Sequence, residues 1–428
     1  MSKGMNKSFS LNGTEICKTV IRCLIMLLFS ALIGFVLLVF VYMLPTAPMK
    51  ANLNQDIDEI SKEGVYPAIH WKFSNTLDNF TDSLMMGAAV YDNEETVVNK
   101  AINAYHPSGF EDPVQDLTNY VRNGDNGEHG SYTRYWHGYL VFLKPILSMT
   151  DYLMWRSINR VFQIIVMVTL TLILIKRFSW KCAVPMVAAF MFLRPNIIYY
   201  SLQYSTMFYV SMFSVMALAL IYQKNGDNKR LVYFYFAVGI VTNYFDYLTY
   251  PALSLGLCLI LCAMLSQSQT GLKNMVNTII YSISWAFGYA GMWISKWTIA
   301  TILTGENKFS DAIISIVGRS STEAYGGSIS RTAAIVSNMQ MASEVITPLI
   351  VMVMIISLVI IAILQWRRQL KLFLPYVANI LIIAAIPFVW YLVLSNHSYI
   401  HLYFTFRTLA ITVAALFAVA FNIEKKKI

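Results

Sequence analysis

Long apolar runs separated by short polar connections dominate the chain, and the runs are too long for helices of a soluble domain. The first, Thr19 to Leu44, exceeds the roughly 20 residues that carry a helix across a bilayer. A secretory signal would have only about 7 to 15 apolar residues before a small-residue cleavage site, so this run reads as a retained span. A polar segment from Thr46 to Thr150 follows, and further apolar runs begin near Ser157, Ala183, Tyr199, Leu231, Tyr250, Met275, Val345, Leu372 and Phe404. The pattern predicts an all-α polytopic membrane protein with about ten transmembrane helices. Residues 1–45 form the N-terminus and first span, 46–150 a long and partly helical outer loop, and 151–428 the remaining bundle with a short basic tail.

Within the outer loop, Ala51 to Glu63 and Glu94 to Tyr105 have helical spacing, and Asp112-Pro113 is a helix start leading to Val121. Asn123 to Gly130 is a turn-rich stretch. Tyr132 to Leu147 is aromatic and apolar but too short to span, which predicts an interfacial or re-entrant helix. No internal repeat or low-complexity tract interrupts this layout.

Composition agrees with the pattern: 57% of residues are hydrophobic and 13% charged, against about 25% charged in soluble domains. That leaves no room for a large separate cytosolic enzyme domain. The net charge of +9 does not point to nucleic acid, because the basic residues gather in alternate connections. Lys3, Lys7, Lys18, Arg22, Lys176, Arg177, Lys181, Lys224, Lys229, Arg230, Lys273, Arg367, Arg368, Lys371 and Lys425 to Lys427 make up more than half of the 32. That face is expected in the cytoplasm, with both termini inside. The long loop, with 14 acidic and 7 basic residues, then lies outside, and all six His fall on that face. The five Cys lie in or beside apolar segments, so they indicate neither a disulfide framework nor a Cys-based zinc site.

Two segments hold the strongest candidate chemistry. In Ser74-Asn75-Thr76-Leu77-Asp78-Asn79-Phe80-Thr81-Asp82, a helix start would place Asp78 and Asp82 on one face. Paired carboxylates in an acidic loop can act as a general base toward an acceptor hydroxyl or hold a divalent cation. The structural alternative makes Asp78 a helix cap and Asp82 a first-turn partner of the helix dipole. In Asn396-His397-Ser398-Tyr399-Ile400-His401-Leu402-Tyr403-Phe404-Thr405-Phe406-Arg407, His397 and His401 share a helix face. Arg407 lies at the membrane boundary, where a cation needs an anionic partner such as phosphate or must snorkel. The His pair lacks the Glu of a metalloprotease motif, which weighs against zinc.

Five further positions have weaker signals. Arg134 and His137 sit among stacking rings in Arg134-Tyr135-Trp136-His137-Gly138-Tyr139, a composition that suits sugars and phosphates as well as an aromatic belt. Asp246 and Lys296 are charges at or inside the outer ends of spans, either functional or paired with one another. Arg194, before Pro195, is a possible extra phosphate contact. The chain has no phosphate-cradling Gly-rich motif and no nucleophile elbow, which argues against ATP-driven transport and serine-hydrolase chemistry.

The layout resembles the GT-C superfamily of integral-membrane glycosyltransferases, and the Asp78–Asp82, Arg134–Tyr139 and Asn396–His401 motifs are similar to a group of Gram-positive bacterial membrane proteins, some described as glucosyltransferase-like. The resemblance implies transfer of a sugar from a polyprenyl-phosphate donor to a cell-envelope glycan, lipid or protein acceptor on the outer face of the bacterial cytoplasmic membrane. It implies that Asp82 or Asp78 is the acidic loop residue and that Arg407, with His397 and His401, holds the lipid phosphate. In the common GT-C arrangement the acid follows closely after the first span, whereas Asp78 lies farther along the loop. A polysaccharide polymerase or flippase and a secondary transporter are the rival classes. Expected partners are the lipid-linked sugar, the acceptor and the bilayer, with no nucleic acid and no cofactor beyond the possible divalent cation at Asp78 and Asp82.

Overall fold

The computed structural model describes residues 13–223, 230–266, 271–345, 359, 363 and 374–421. Within these, the chain is predominantly helical, and β structure is confined to two short antiparallel pairs, His106–Pro107 with His129–Gly130 and Glu323–Ala324 with Gly327–Ser328. The basic residues Lys3, Lys7, Lys224, Lys229, Arg367, Arg368, Lys371 and Lys425 to Lys427, and the apolar run beyond Val345, lie outside the described residues.

The helices in chain order are α1 (Gly13–Tyr42), α2 (Thr46–Glu63), α3 (Asn79–Val90), α4 (Val97–Asn103), α5 (Pro113–Asn123), α6 (Leu140–Met149), α7 (Tyr152–Arg177), α8 (Trp180–Phe192) and α9 (Pro195–Ile198). They continue as α10 (Leu202–Ile221), α11 (Leu231–Phe245), α12 (Ala252–Leu265), α13 (Gly271–Thr304), α14 (Lys308–Arg319) and α15 (Arg331–Val345), then α16 (Leu374–Val393), α17 (Ser395–Ile400) and α18 (Leu402–Ala420). Five of them, α1, α7, α10, α16 and α18, are long and apolar enough to cross a membrane. α8, α11 and α12 are apolar but shorter. The run near Ala183 ends early because Arg194 takes a left-handed conformation (φ 64°) just before Pro195, which starts the short α9.

Two cores divide the molecule. One is the helical bundle, from Val166 on α7 through α8, α10, α12 and the middle of α13 to Ala418 on α18. In it α12 is buried on every side, as Leu253, Leu257, Leu259, Ile260 and Leu261 show. The other joins α1 to the long loop of residues 46–150: Leu38 and Tyr42 pack with Met49, Met86, Leu117, Trp136 and Leu143, and also with Phe236 and Met292 of the bundle. The lipid-facing side of α1 exposes Leu24, Ile25, Leu28, Phe29 and Phe40, the pattern of a helix with an apolar solvent around it.

α11 and α13 cross at glycines. A Cβ on Gly239 would overlap the Trp285 carbonyl, and one on Gly288 the Phe236 carbonyl, so small residues let the backbones touch as they do between membrane helices. This crossing fixes the C-terminal halves of α11 and α13; Asp246 directly follows the first and Lys296 lies on the second.

The long loop folds as expected at Asp112, whose side chain caps α5 through the Val114 and Gln115 N–H groups at 2.8 and 3.0 Å. The interfacial helix is shorter than expected: α6 begins at Leu140, and residues 132–139 are irregular. His137 has φ 57°, Trp136 Nε1 donates to the Met292 carbonyl at 2.7 Å, and the Gly138 N–H donates to the Tyr244 carbonyl at 2.9 Å. Those bonds tie the segment to α11 and α13 and withdraw it from helical pairing.

Candidate functional site

The acidic turn and the C-terminal cation converge on the first turn of α10. Asp78 is the N-cap of α3, accepting from the Thr81 N–H at 3.0 Å and the Thr81 hydroxyl at 2.8 Å, as a short polar side chain does before a helix. Asp82, one turn on and 1% exposed, serves a different helix. Its carboxylate accepts from the Leu202 N–H (2.9 Å), the Gln203 N–H (3.1 Å), the Ser201 hydroxyl (3.1 Å) and the Tyr152 hydroxyl (3.0 Å). It therefore closes the N-terminus of α10, where unpaired N–H groups and the helix dipole favour an anion.

Burial raises both acids. It pushes Asp78 up to about 7, opposed by its bonds from Thr81 and reinforced by the Asp82 charge. It pushes Asp82 to about 6, opposed by the Gln203 and Leu202 N–H bonds and by the nearby Arg156 charge. A carboxylate offers about four lone-pair sites. Four donors fill those of Asp82, while Asp78 spends two on Thr81. The donors around Asp82 also leave it unsuited to a cation, and among the described residues no three His, Cys, Asp or Glu gather closely enough to hold a metal.

Arg407 reaches the same region from the other end of the chain. It is 0% exposed, lies over the Tyr204 ring at 4.4 Å, and donates to the carbonyls of Leu193 (3.3 Å), Ser74 (3.4 Å) and Tyr403. Tyr204 in turn donates to the Thr76 carbonyl at 3.0 Å. Arg194, on the neighbouring turn, donates to Asn75 Oδ1 at 2.5 Å. Arg407 is thus not a snorkelling residue. It is held inside the protein, against the same 74–82 segment that holds the acids.

His397 and His401 stay close, with ring centroids 4.8 Å apart, but they face different partners from Arg407. His397 Nδ1 lies 2.9 Å from Arg319 Nη1 and its Nε2 lies 2.8 Å from the Leu248 carbonyl. A guanidinium can only donate, so Nδ1 accepts and the proton sits on Nε2. Burial, helped by the His401 and Arg319 charges, holds His397 neutral, well below the usual imidazole range. His401 Nδ1 pairs with the Tyr403 hydroxyl at 3.2 Å, and Tyr403 packs against Tyr66 at 5.3 Å.

An aromatic wall adjoins Arg319. Tyr135 stacks on Tyr247 (4.8 Å, 11°), with Tyr132 edge-on at 5.2 Å. Arg134 lies 4.8 Å over Tyr132 and pairs with Asp311 at 2.9 Å. His137 bonds to the Tyr132 carbonyl and the Tyr139 hydroxyl, and burial with the Lys296 charge lowers it to about 3. Asp246 and Lys296 do not pair with one another, contrary to the structural alternative. Asp246 accepts from the Tyr289 hydroxyl (3.0 Å) and the Thr249 N–H (2.9 Å). Lys296 donates to the Ile102 carbonyl at 2.7 Å beneath Trp136.

Two partners were not singled out from the sequence. Arg319 ends α14, whose Ile313, Ile314, Ile316 and Val317 are exposed while Ala312 is buried; that amphipathic period was the legible clue. Arg156 forms a two-bond ion pair with Glu63 (2.6 and 2.9 Å) and also donates to the Tyr200 carbonyl. It lies 4.6 Å over Tyr152, the same tyrosine that bonds Asp82.

A lateral apolar groove of about 700 Å³ runs between α6, α7, α10 and α11, lined by Met85, Phe142, Phe162, Leu202, Phe213 and Val241 among others. Its head reaches Leu202, whose N–H holds Asp82. Tyr204, under Arg407, is two residues on and about 200° around the helix, so Arg407 and the groove lie on opposite faces of α10. Comparison with family models, curated proteins and solved structures finds no match to this chain.

Proposed function

We propose that the chain is a membrane glycosyltransferase of the GT-C kind, moving a sugar from a polyprenyl-phosphate donor to a cell-envelope acceptor on the outer face of a bacterial cytoplasmic membrane. The supporting observation is the meeting of a near-neutral buried acid, Asp78, with the buried Arg407 on one segment, residues 74–82, beside the first turn of α10. The reading includes the ten-span arrangement with both termini in the cytoplasm.

In this reading the base role falls to Asp78, because Asp82 has its lone pairs occupied and frames the site. The acceptor oxygen bonds to the anomeric carbon as the bond from that carbon to the phosphate oxygen breaks. The acceptor proton passes to Asp78, and the departing lipid phosphate is stabilised by Arg407. Tyr135 and Tyr247, with Arg319 and Arg134, provide ring faces and charge for sugar and phosphate groups.

The experiment is transfer of labelled sugar from a polyprenyl-phosphate carrier to acceptor in proteoliposomes. Transfer by wild type and its loss in Asp78→Asn supports the enzyme. Sugar-independent solute flux without transfer would favour a transporter.

A further inference from the structure

Arg407 poses an electrostatic problem that its own contacts leave open. It is fully buried, and the partners it has are carbonyl oxygens of Leu193, Ser74 and Tyr403. Carbonyl dipoles solvate a guanidinium without neutralising it, and a buried cation without an anion is costly. A second guanidinium, Arg194, follows directly after the Leu193 carbonyl that Arg407 uses, and it is held in a left-handed conformation uncommon for a residue with a side chain. Two positive charges therefore meet at the 74–76 turn.

The turn itself has spare hydrogen-bonding groups. The hydroxyls of Ser74 and Thr76, in residues 0% and 1% exposed, have no partner among the described residues, and neither does Arg194 Nε. Buried hydroxyls rarely go unpaired in a folded protein, and a group of them beside cations is the donor set of a phosphate site. One anion already touches this turn. Glu344, in the last turn of α15, accepts from the Ser74 N–H at 2.8 Å, and its charge acts on Arg194.

We propose that Ser74, Thr76, Arg194 and Arg407 form the seat of a phosphate group, and that the Glu344 carboxylate holds this seat as a competing internal anion until phosphate displaces it. The inference deepens the transferase reading and rests on it for the lipid-linked source of the phosphate. The seat itself follows from the donors alone. The lipid phosphate released by sugar transfer, like inorganic phosphate, carries up to two negative charges and at least three free oxygens, against the one charge and two oxygens of a carboxylate. Phosphate can therefore engage both guanidiniums and both hydroxyls where Glu344 reaches the Ser74 N–H. Displacement would also free the last turn of α15 from the 74–76 turn, coupling occupancy of the seat to the position of that helix.

The test measures binding of two probes, inorganic phosphate and a short polyprenyl phosphate lacking sugar, to the full-length purified protein. Glu344→Gln removes the competing charge from an exposed side chain and is expected to tighten binding about tenfold. The Ser74→Ala, Thr76→Val double variant, which keeps shape and fold, is expected to weaken it about tenfold or more. Binding of the lipid probe, competed by inorganic phosphate, identifies a lipid headgroup seat; binding of inorganic phosphate alone supports the seat with a free-phosphate source. Equal affinities for wild type, Glu344→Gln and the double variant would overturn the proposal even if sugar transfer is intact. Loss of sugar transfer dependence on Asp78 with these affinity changes preserved would instead overturn the transferase reading and leave the seat standing.

Discussion

Asp82 and Arg407, from opposite ends of the chain, are fastened to the same helical turn: the carboxylate takes the Leu202 and Gln203 N–H groups, and the guanidinium lies 4.4 Å over Tyr204. One acts on the helix terminus and the other on its side. The first turn of α10 thus links the long loop, the bundle and α18, and a change at Asp82 or Arg407 will be felt by the other.

The two acids should separate by substitution. Asn is as good an N-cap as Asp and carries no buried charge, so Asp78→Asn should not lower stability at neutral pH, while lowering kcat about 10²-fold or more. Asp82→Asn presents an NH₂ group to N–H and O–H donors and should cost about 1 to 3 kcal/mol of stability, with a smaller effect on the rate per folded molecule. Thermal unfolding and labelled-sugar transfer, measured on the same preparations, decide between them; an unaffected rate in Asp78→Asn would remove the base from this residue.

The raised acids give a pH signature with opposite signs for rate and stability. A base must be ionised, so kcat should rise with pH through about 7, the value to which burial pushes Asp78. Unfolded Asp titrates near 3.9, so between about pH 4 and about pH 7 the folded protein retains protons on Asp78 and Asp82 that the unfolded chain has lost. Stability should therefore fall as pH rises across that window. Unfolding temperatures at about pH 5 and about pH 7.5 test this, and Asp78→Asn should flatten the upper part of the slope.

Arg407→Lys keeps the charge but loses the planar fork that reaches the Leu193, Ser74 and Tyr403 carbonyls together. Polyprenyl-phosphate binding should weaken about tenfold, and Arg407→Ala should weaken it further, by about 2 to 3 kcal/mol in all. Direct binding to the folded variants is the measurement. Equal affinity in wild type and both variants would exclude Arg407 from phosphate recognition.

Topology is testable without any activity. In a background lacking the five native cysteines, Asn123→Cys at the exposed end of α5 should react with a membrane-impermeant thiol reagent on intact cells, while Lys176→Cys at the end of α7 should not. The reverse pattern would invert the orientation.

Helix content, the long apolar helix α1, the cap at Asp112 and the start of α3 at Asp78 were legible in the sequence, because each depends on neighbours within a few residues: apolar periodicity, a capping side chain, Pro at the first helical position. Arg407 could be singled out for the same local reason, as a charge inside an apolar run. What local spacing could not assign was partnership. The i,i+4 relation of Asp78 and Asp82 suggested a pair, yet Asp82 turns to α10; Asp246 and Lys296 suggested another, yet each finds uncharged partners. The reason is physical. A buried polar group must satisfy its hydrogen bonds from whatever the packing brings near, and the glycine crossing of α11 with α13, the left-handed turn at Arg194 and the docking of the long loop against α10 decided those neighbours only in three dimensions.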